Sequence, residues 1–252
     1  MKMFTALENK YTKEQKRALD AQRLAHEIAF APVTFQVSRL MVKFGVLKML
    51  ADAKEGLTID EIAAKSGLKR YAVQVLIESS LTIGTVLYEN ERFVISKAGW
   101  FLISDPLVSV NIDFNHEVSY LGMHRMEEAL LNGKPEGLKV FGEWPTIYEG
   151  LSQLPDAARK SWFGFDHFYS DNSFDEALEI VFSYRPRTLL DVGGNTGRWA
   201  QRCVDYNEDV RVTILDLPQQ IALMNLQIEG SRNAGRIFGL GADLLDAKTP
   251  FP

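Results

Sequence analysis

The chain has 252 residues, of which 46% are hydrophobic and 24% charged, as in an ordinary globular protein of one large or two modest domains. Its net charge of −5 argues against a protein that holds nucleic acid through a broad basic surface. The single cysteine, Cys203, excludes an internal disulfide, and no apolar run approaches the roughly 20 residues that span a bilayer. We therefore expect a cytoplasmic protein.

The N-terminal region is predicted to be helical. Apolar residues recur near a 3.6-residue period over residues 12–32, and Pro32 is expected to end or kink that helix. A second predicted helix, over residues 34–53, is apolar on most sides. That breadth suggests burial against both its own core and a second subunit, so we expect a homodimer.

A compact unit follows. Thr58 precedes Glu61 by three residues, which is the spacing of a capping box at the start of a helix. The predicted elements are, in chain order, a helix over 60–65, a helix over 70–83, a strand over 86–89, a turn at Asn90 and a strand over 92–96. Helix, turn, helix and β-hairpin is the order of a winged helix.

In the rest of the chain, the predicted secondary structure changes near residue 174. Residues 99–170 are predicted to be mostly helical and rich in aromatic side chains. Strands and helices then alternate, which predicts a parallel sheet. The predicted elements are a helix over 174–183, a strand over 187–191, a helix over 197–206, a strand over 210–215, a helix over 218–229 and a strand over 235–240.

A glycine-rich turn, Asp191-Val-Gly-Gly-Asn-Thr-Gly197, joins the first of these strands to its helix. Such a turn lets backbone N–H groups approach a nucleotide cofactor. Counted from Gly193, the third and sixth positions are Asn195 and Arg198, so the dinucleotide spacing fails, and no Lys-Ser or Lys-Thr completes a P-loop. The pattern acid-x-Gly-x-small-x-Gly instead fits the first motif of S-adenosylmethionine-dependent methyltransferases. An acid here is favourable near the cationic methionine moiety of that cofactor.

Two further carboxylates follow the next two predicted strands. Asp216 ends the second strand, where an acid can accept both ribose hydroxyls of a nucleotide. Asp243 follows the third strand, where a carboxylate can accept the adenine amino group. Three acids at three successive strand ends form a more specific signal than the glycine turn alone.

With these motifs the chain resembles the two-domain small-molecule O-methyltransferases of the plant caffeate and hydroxyindole type and their bacterial relatives. The residues that carry the resemblance are Leu190 to Gly197, Asp216-Leu-Pro218, Gly241-Ala-Asp243-Leu-Leu245 and Phe165-x-x-x-Tyr169 with Ser173. The resemblance implies an α/β fold in which a mostly helical winged-helix dimerisation domain precedes a Rossmann-like domain, incomplete here. The expected regions are a dimerisation domain over 1–100, a helical connecting region on the substrate side over 101–173, and the first half of the cofactor domain over 174–252.

The resemblance also implies a role for each matching residue. The methionine end of S-adenosylmethionine is expected at Asp191, Gly193 and Gly194, and the ribose at Asp216. The adenine is expected between Leu217, Asp243 and Leu244. The helical side of the site is expected to be closed by Phe165, Tyr169 and Ser173. The implied reaction is methylation of a hydroxyl on a small aromatic or polyketide-like acceptor. From its charge, its apolar runs and the spacing of its histidines, we expect the chain to use no metal, nucleic acid or membrane.

The chain departs from the family in three ways. Asn195 replaces the middle glycine of the turn, and asparagine is the residue that best tolerates a left-handed backbone. Tyr169 stands where the family often has methionine. The family's catalytic histidine, which deprotonates the acceptor hydroxyl, belongs to a region of about a hundred residues absent from this sequence. We therefore expect a fragment of a longer protein, and its catalytic base is unknown.

Other readings remain open. The glycines alone suit any tight strand-to-helix turn, and Asp216 suits a helix cap. The spacing of His116 and His124 does not favour a metal site, and His167 is typical of a partly buried histidine. A winged helix also suits a DNA-binding regulator, but the helix that begins at Arg70 turns apolar and lacks a basic face. A non-catalytic homologue that binds the cofactor is the remaining alternative.

Overall fold

The computed structural model describes residues 12–244 and residue 246. The chain divides into two compact units, with the division between Asp113 and Phe114. Leu245, which ends the third predicted motif, lies outside the described residues.

The first helix of the N-terminal unit, α1, spans Ala18–Lys43 and contains Pro32 in its interior. The predicted division into helices over 12–32 and 34–53 is therefore wrong. An interior proline removes one N–H donor and its ring crowds the carbonyl four residues earlier, but here the helix continues through it. The helical conformation is interrupted instead at Gly45, whose φ of 70° is a left-handed conformation that favours glycine. The next helix, α2, covers Val46–Asp52.

The predicted winged-helix elements are confirmed within one or two residues. They are α3 over Ile59–Ser66, α4 over Arg70–Ile83, β1 over Val86–Glu89 and β2 over Arg92–Ile95. A further helix, α5 over Lys97–Ser104, follows the hairpin. The two strands pair antiparallel, and Asn90 and Glu91 between them both have positive φ. The core of this unit consists of fully buried side chains from the helices and β1, among them Met41, Leu47, Ile62, Ile77 and Val86.

The predicted capping box is present at the start of α3. The Thr58 backbone N–H donates to Glu61 Oε2 at 2.7 Å, and the Glu61 N–H donates to Thr58 Oγ1 at 3.3 Å. Arg92 on β2 donates to the same Glu61 oxygen. The Arg92 hydrogen bond, followed by that of the Thr58 backbone, lowers the pKa of Glu61 to about 2. This carboxylate thus joins the start of α3 to the hairpin.

The C-terminal unit begins with short helical segments around aromatic side chains. Helix α6, Pro106–Phe114, belongs to the N-terminal unit except for its last residue, and it continues into a π-helical turn over Asn115–Ser119 of the C-terminal unit. The following elements are a 3₁₀ turn over Gly122–Arg125, α7 over Met126–Asn132, a 3₁₀ turn over Glu136–Val140, α8 over Ile147–Gly150, a 3₁₀ turn over Leu151–Gln153, α9 over Asp156–Asp171 and α10 over Phe174–Ser183.

The predicted parallel sheet is confirmed. Its elements are β3 over Thr188–Val192, α11 over Arg198–Tyr206, β4 over Arg211–Asp216, α12 over Pro218–Ile228 and β5 over Ile237–Gly241. The strand order is β3-β4-β5, with both pairs parallel. One face, carrying Val212, Ile214 and Ile237, packs on buried residues of the helices such as Cys203 and Met224. No described helix is both long and apolar enough to span a bilayer.

Candidate cofactor site

The three predicted acids lie at the same edge of the sheet. Asp191 is the penultimate residue of β3, Asp216 is the last residue of β4, and Asp243 follows the end of β5 by two residues. The β4–β5 register pairs Asp216 with Gly241. Because the strands are parallel, their carboxyl ends meet at one edge, where the ligands of open α/β sheets bind.

The glycine turn has a left-handed backbone at three positions. Gly193, Asn195 and Gly197 have φ values of 76°, 50° and 81°. The expectation that Asn195 tolerates this conformation is confirmed. Gly194 is required for another reason, since a Cβ there would lie 2.4 Å from Asp191 Oδ2. The turn therefore wraps closely around the Asp191 carboxylate.

Asp216 holds this turn in place. Its Oδ2 accepts the Asn195 backbone N–H at 2.8 Å, and its Oδ1 accepts the Leu217 N–H at 2.7 Å. The N-cap of α12 is Leu217, so Asp216 does not cap that helix. Each carboxylate oxygen has two lone pairs, so both retain the capacity to accept a ligand hydroxyl.

Asp191 differs from Asp216 in its hydrogen bonding. Its Oδ2 is buried and has no hydrogen-bond partner among the described residues. Burial, and secondarily the charge of Asp216, raises the pKa of Asp191 to about 6. A buried carboxylate without a partner favours a cationic ligand, because a neighbouring positive charge stabilises the ionised form. The site therefore fits a cofactor with a cationic end at Asp191.

A cavity of about 390 Å³ opens at the same edge, within the size range of small-molecule sites. Five of the residues predicted from the sequence line it, namely Gly193, Asp216, Leu217, Asp243 and Leu244. Residues that the sequence motifs do not mark also line it, among them Thr146, Tyr148, Trp162, Asp166 and Gln220. Gln220 is 4% exposed, and its Oε1 has no partner among the described residues. No sequence signal marked it, because it reads as an ordinary polar residue in the first turn of α12.

The other predicted residues lie outside this cavity. Asp191 and Gly194 line a neighbouring crevice of about 270 Å³, which shares Gly193 with the larger cavity. Neither space is lined by Phe165, Tyr169 or Ser173. Phe165 packs between Phe114 and Tyr169, with ring centroids 4.1 and 4.7 Å away. Ser173 precedes α10 and donates from its hydroxyl to the Ser170 carbonyl. Their assignment to the cofactor remains a prediction.

Polar contacts connect the glycine turn to α9. Asn195 Nδ2 donates to Asp166 Oδ2 at 3.1 Å. Arg198, the first residue of α11, donates through both Nε and Nη2 to the Asp171 carboxylate. His167 lies beside Arg198, and burial, followed by the Arg198 charge, lowers the pKa of His167. Asn195, which departs from the family pattern, thus contacts two elements of the site. Its backbone N–H donates to Asp216 at the end of β4, and its side chain donates to Asp166 on α9.

Comparison with known proteins agrees with this arrangement. Residues 22–93 match the family described as Dimerisation2-like domain. The chain is 24% identical to demethylspheroidene O-methyltransferase of Rhodobacter capsulatus over 86% of its own length and 52% of that protein. It is 23% identical to L-tyrosine C(3)-methyltransferase of Streptomyces lavendulae over 88% of its length and 61% of that protein. The chain also matches the solved structure of SibL, an S-adenosylmethionine-dependent methyltransferase. The match covers 86% of this chain and 64% of SibL, with a TM-score of 0.63 and 21% identity.

The chain shares the fold of this solved methyltransferase over most of its length. The expected resemblance and fold class are thereby confirmed: a helical region that matches the Dimerisation2-like domain precedes an α/β region with the Rossmann-like fold of the solved methyltransferase. This chain spans between half and about three fifths of the length of the two curated methyltransferases named above.

Proposed function

We propose that this protein binds S-adenosylmethionine and transfers its methyl group to a hydroxyl of a small molecule. The observation that carries the proposal is the buried Asp191 Oδ2, which has no hydrogen-bond partner among the described residues and lies beside the left-handed glycine turn. It is supported by Asp216 and Asp243 on the adjoining cavity and by the names of the methyltransferases that the chain resembles.

Each end of the cofactor is matched by a group of the described residues. Asp191 faces the cationic methionine end, and Gly193 and Gly194 leave room for it beside the backbone. The Asp216 carboxylate accepts the ribose hydroxyls while it holds the turn. The adenine lies against Leu217 and Leu244, with Asp243 as acceptor for its amino group. Gln220 Oε1, which has no hydrogen-bond partner within the described ranges, is a second acceptor in the same cavity.

The bound cofactor supplies a methyl group activated by its sulfonium charge, so the residues named here serve to bind and orient the methyl donor. None of them is assigned as the base that deprotonates the acceptor. Oxygen as the acceptor atom is supported by the family resemblance and by the name of the Rhodobacter relative, whereas the Streptomyces relative is named for methylation at carbon.

A homodimer is part of the proposal. Residues 22–93 match a family named for dimerisation. Helix α1 carries exposed apolar side chains, with Leu19, Ile28 and Phe30 each more than 60% exposed. A second copy of this chain is a suitable partner for such a surface, and a monomer by light scattering at tens of micromolar would contradict it. We also retain the division into dimerisation, connecting and cofactor regions, and a cytoplasmic location, in keeping with the lone, buried Cys203.

Isothermal titration calorimetry with S-adenosylmethionine tests the cofactor assignment. Wild-type protein is expected to bind, and Asp216→Ala is expected to weaken binding by about tenfold or more, because it removes a charged acceptor. Asp209→Ala is the matched control, since Asp209 is an exposed acid at the opposite end of β4. The proposal would be refuted if the wild type did not bind S-adenosylmethionine, or if Asp216→Ala and Asp209→Ala bound it with equal affinity.

A further inference from the structure

The crevice at Asp191 and the cavity at Asp216 share part of their lining. Within the described ranges, three residues line both spaces and form the junction between them, namely Asp166, Gly193 and Asn195. We propose that Asp166 is a specificity-determining residue that makes the site bind S-adenosylmethionine more tightly than S-adenosylhomocysteine, the product left after methyl transfer. The inference rests on the proposed function and adds to it how the site distinguishes substrate from product.

The order of groups in the cofactor determines which of its atoms lies at the junction. The sulfur of S-adenosylmethionine joins the methionine chain to the ribose. With the methionine end in the Asp191 crevice and the ribose at Asp216, the sulfur lies where the two spaces meet. The residues at the junction are therefore the ones that face the sulfur, and among these three only Asp166 carries a charge.

The charge at the sulfur is the main difference between the two forms of the cofactor. S-adenosylmethionine carries a positive sulfonium, and loss of the methyl group leaves a neutral thioether. The ammonium, the carboxylate, the ribose and the adenine are the same in both. A carboxylate at the junction attracts the sulfonium and gains no such attraction from the thioether. Asp166 therefore favours the methyl donor, and the product dissociates more readily.

The other acids around the two spaces serve elsewhere. Glu149 accepts a backbone N–H at 3.1 Å in the capping box at the start of α8. Both carboxylate oxygens of Asp216 accept backbone N–H groups. Asp191 lines the crevice alone, and Asp243 lines the cavity alone. Asp166 is thus the acid that is placed to face the sulfur.

Polar contacts between α9 and the glycine turn fix the position of the Asp166 carboxylate. Asn195 Nδ2 donates to Asp166 Oδ2 at 3.1 Å. Further along α9, the Asp171 carboxylate accepts hydrogen bonds from Arg198 Nε and Nη2. A carboxylate has about four lone-pair sites, so the bond from Asn195 leaves Asp166 able to contact a cation. Because the carboxylate is held before the ligand arrives, it loses little side-chain entropy on binding.

Calorimetric titration of the 252-residue chain with three ligands tests the proposal. S-adenosylmethionine and sinefungin, in which an amine replaces the methylated sulfur, are both positive at this position, whereas S-adenosylhomocysteine is neutral there. Asp166→Asn removes the charge and keeps an acceptor for Asn195. It is expected to weaken the two positive ligands about three- to tenfold and to change the neutral one by less than about twofold. The effect is modest because Asp166 is exposed to solvent.

Asp156→Asn is the matched control, because Asp156 is an acid of the same helix that lines neither space. It is expected to leave all three affinities within about twofold of wild type. The selective loss in Asp166→Asn should also shrink as the salt concentration rises from about 0.05 to 0.5 M, because ions screen an exposed charge. Equal weakening of all three ligands by Asp166→Asn, no weakening of the positive ligands, or the same selective loss in Asp156→Asn would overturn the proposal.

These outcomes are separable from those of the cofactor test. If the wild type binds none of the three ligands, the proposed function fails, and this inference fails with it. If the wild type binds S-adenosylmethionine and Asp166→Asn weakens all three ligands alike, the role of Asp166 in specificity fails and the proposed function remains.

Discussion

Glu61 in the N-terminal unit and Asp191 in the C-terminal unit are carboxylates in turns that the sequence marks clearly, yet their surroundings are opposite. Glu61 accepts hydrogen bonds from Thr58 and Arg92, and these contacts lower its pKa to about 2. Asp191 has a buried oxygen without a hydrogen-bond partner in the part of the chain that the structure describes, and burial raises the pKa of this carboxyl to about 6.

The difference separates a structural carboxylate from a binding carboxylate. The contacts of Glu61 lie within the protein and stabilise its own fold. The ionised form of Asp191 is disfavoured in the folded protein, and a cationic ligand would relieve that cost. Shifted groups of this second kind, in a cleft, are typical of functional sites.

Asp191→Asn should give the largest effect. It is expected to weaken S-adenosylmethionine binding about 10–100-fold, because a charge-assisted contact is lost. The raised pKa means that Asp191 favours folding below its ordinary pKa and that this contribution is lost as the pH rises through about 6. Above that pH the cofactor-free variant should therefore be more stable than wild type, by about 1–2 kcal/mol. Calorimetry and urea unfolding at about pH 5 and pH 8 would measure both effects, and a less stable variant at the higher pH would contradict the interpretation.

Asn195→Gly should give an intermediate effect. Glycine keeps the left-handed backbone of the turn but removes the hydrogen bond to Asp166 on α9. Cofactor affinity is expected to fall by about two- to tenfold, the value of one hydrogen bond. Asp166→Ala should have a similar effect, and the double variant should be no worse than either one, because both remove the same contact. Fully additive losses would show that this contact does not position the turn.

Glu61→Gln should give the smallest effect and none on cofactor binding. The lowered pKa means that Glu61 stabilises the fold above its ordinary pKa and loses this contribution as the pH falls through about 2. The variant should unfold at slightly lower urea concentration at neutral pH and converge with wild type in acid. Thr58→Ala is a useful comparison, since loss of its cap should cost about 1 kcal/mol and leave an ionised Glu61 in place. A change in cofactor affinity in either variant would break the contrast with Asp191.

Much of the fold was predictable because its signals are local. The capping box at Thr58, the chain reversal at Asn90 and the alternation of strands and helices after residue 174 depend on neighbouring residues. The wrong helix boundary predicted at Pro32 has the same origin, because it rests on a local rule for proline. The helix continues past Pro32, since its other residues keep their helical hydrogen bonds. The helix is interrupted at Gly45 because this residue adopts a positive φ. Glycine permits that conformation, but its presence in the sequence does not predict it.

The sequence by itself determined the glycine turn and its three acids, because their spacing follows from where parallel strands end. Only the tertiary structure decided what faces them. Asp166 and Trp162 come from a helix that precedes the turn, and Gln220 joins the site through the orientation of α12. The pKa of Asp191 likewise depends on burial by residues distant in the chain. Local patterns place backbone and charge at a strand end, whereas solvent exclusion and the shape of a cavity arise from packing between elements far apart in sequence.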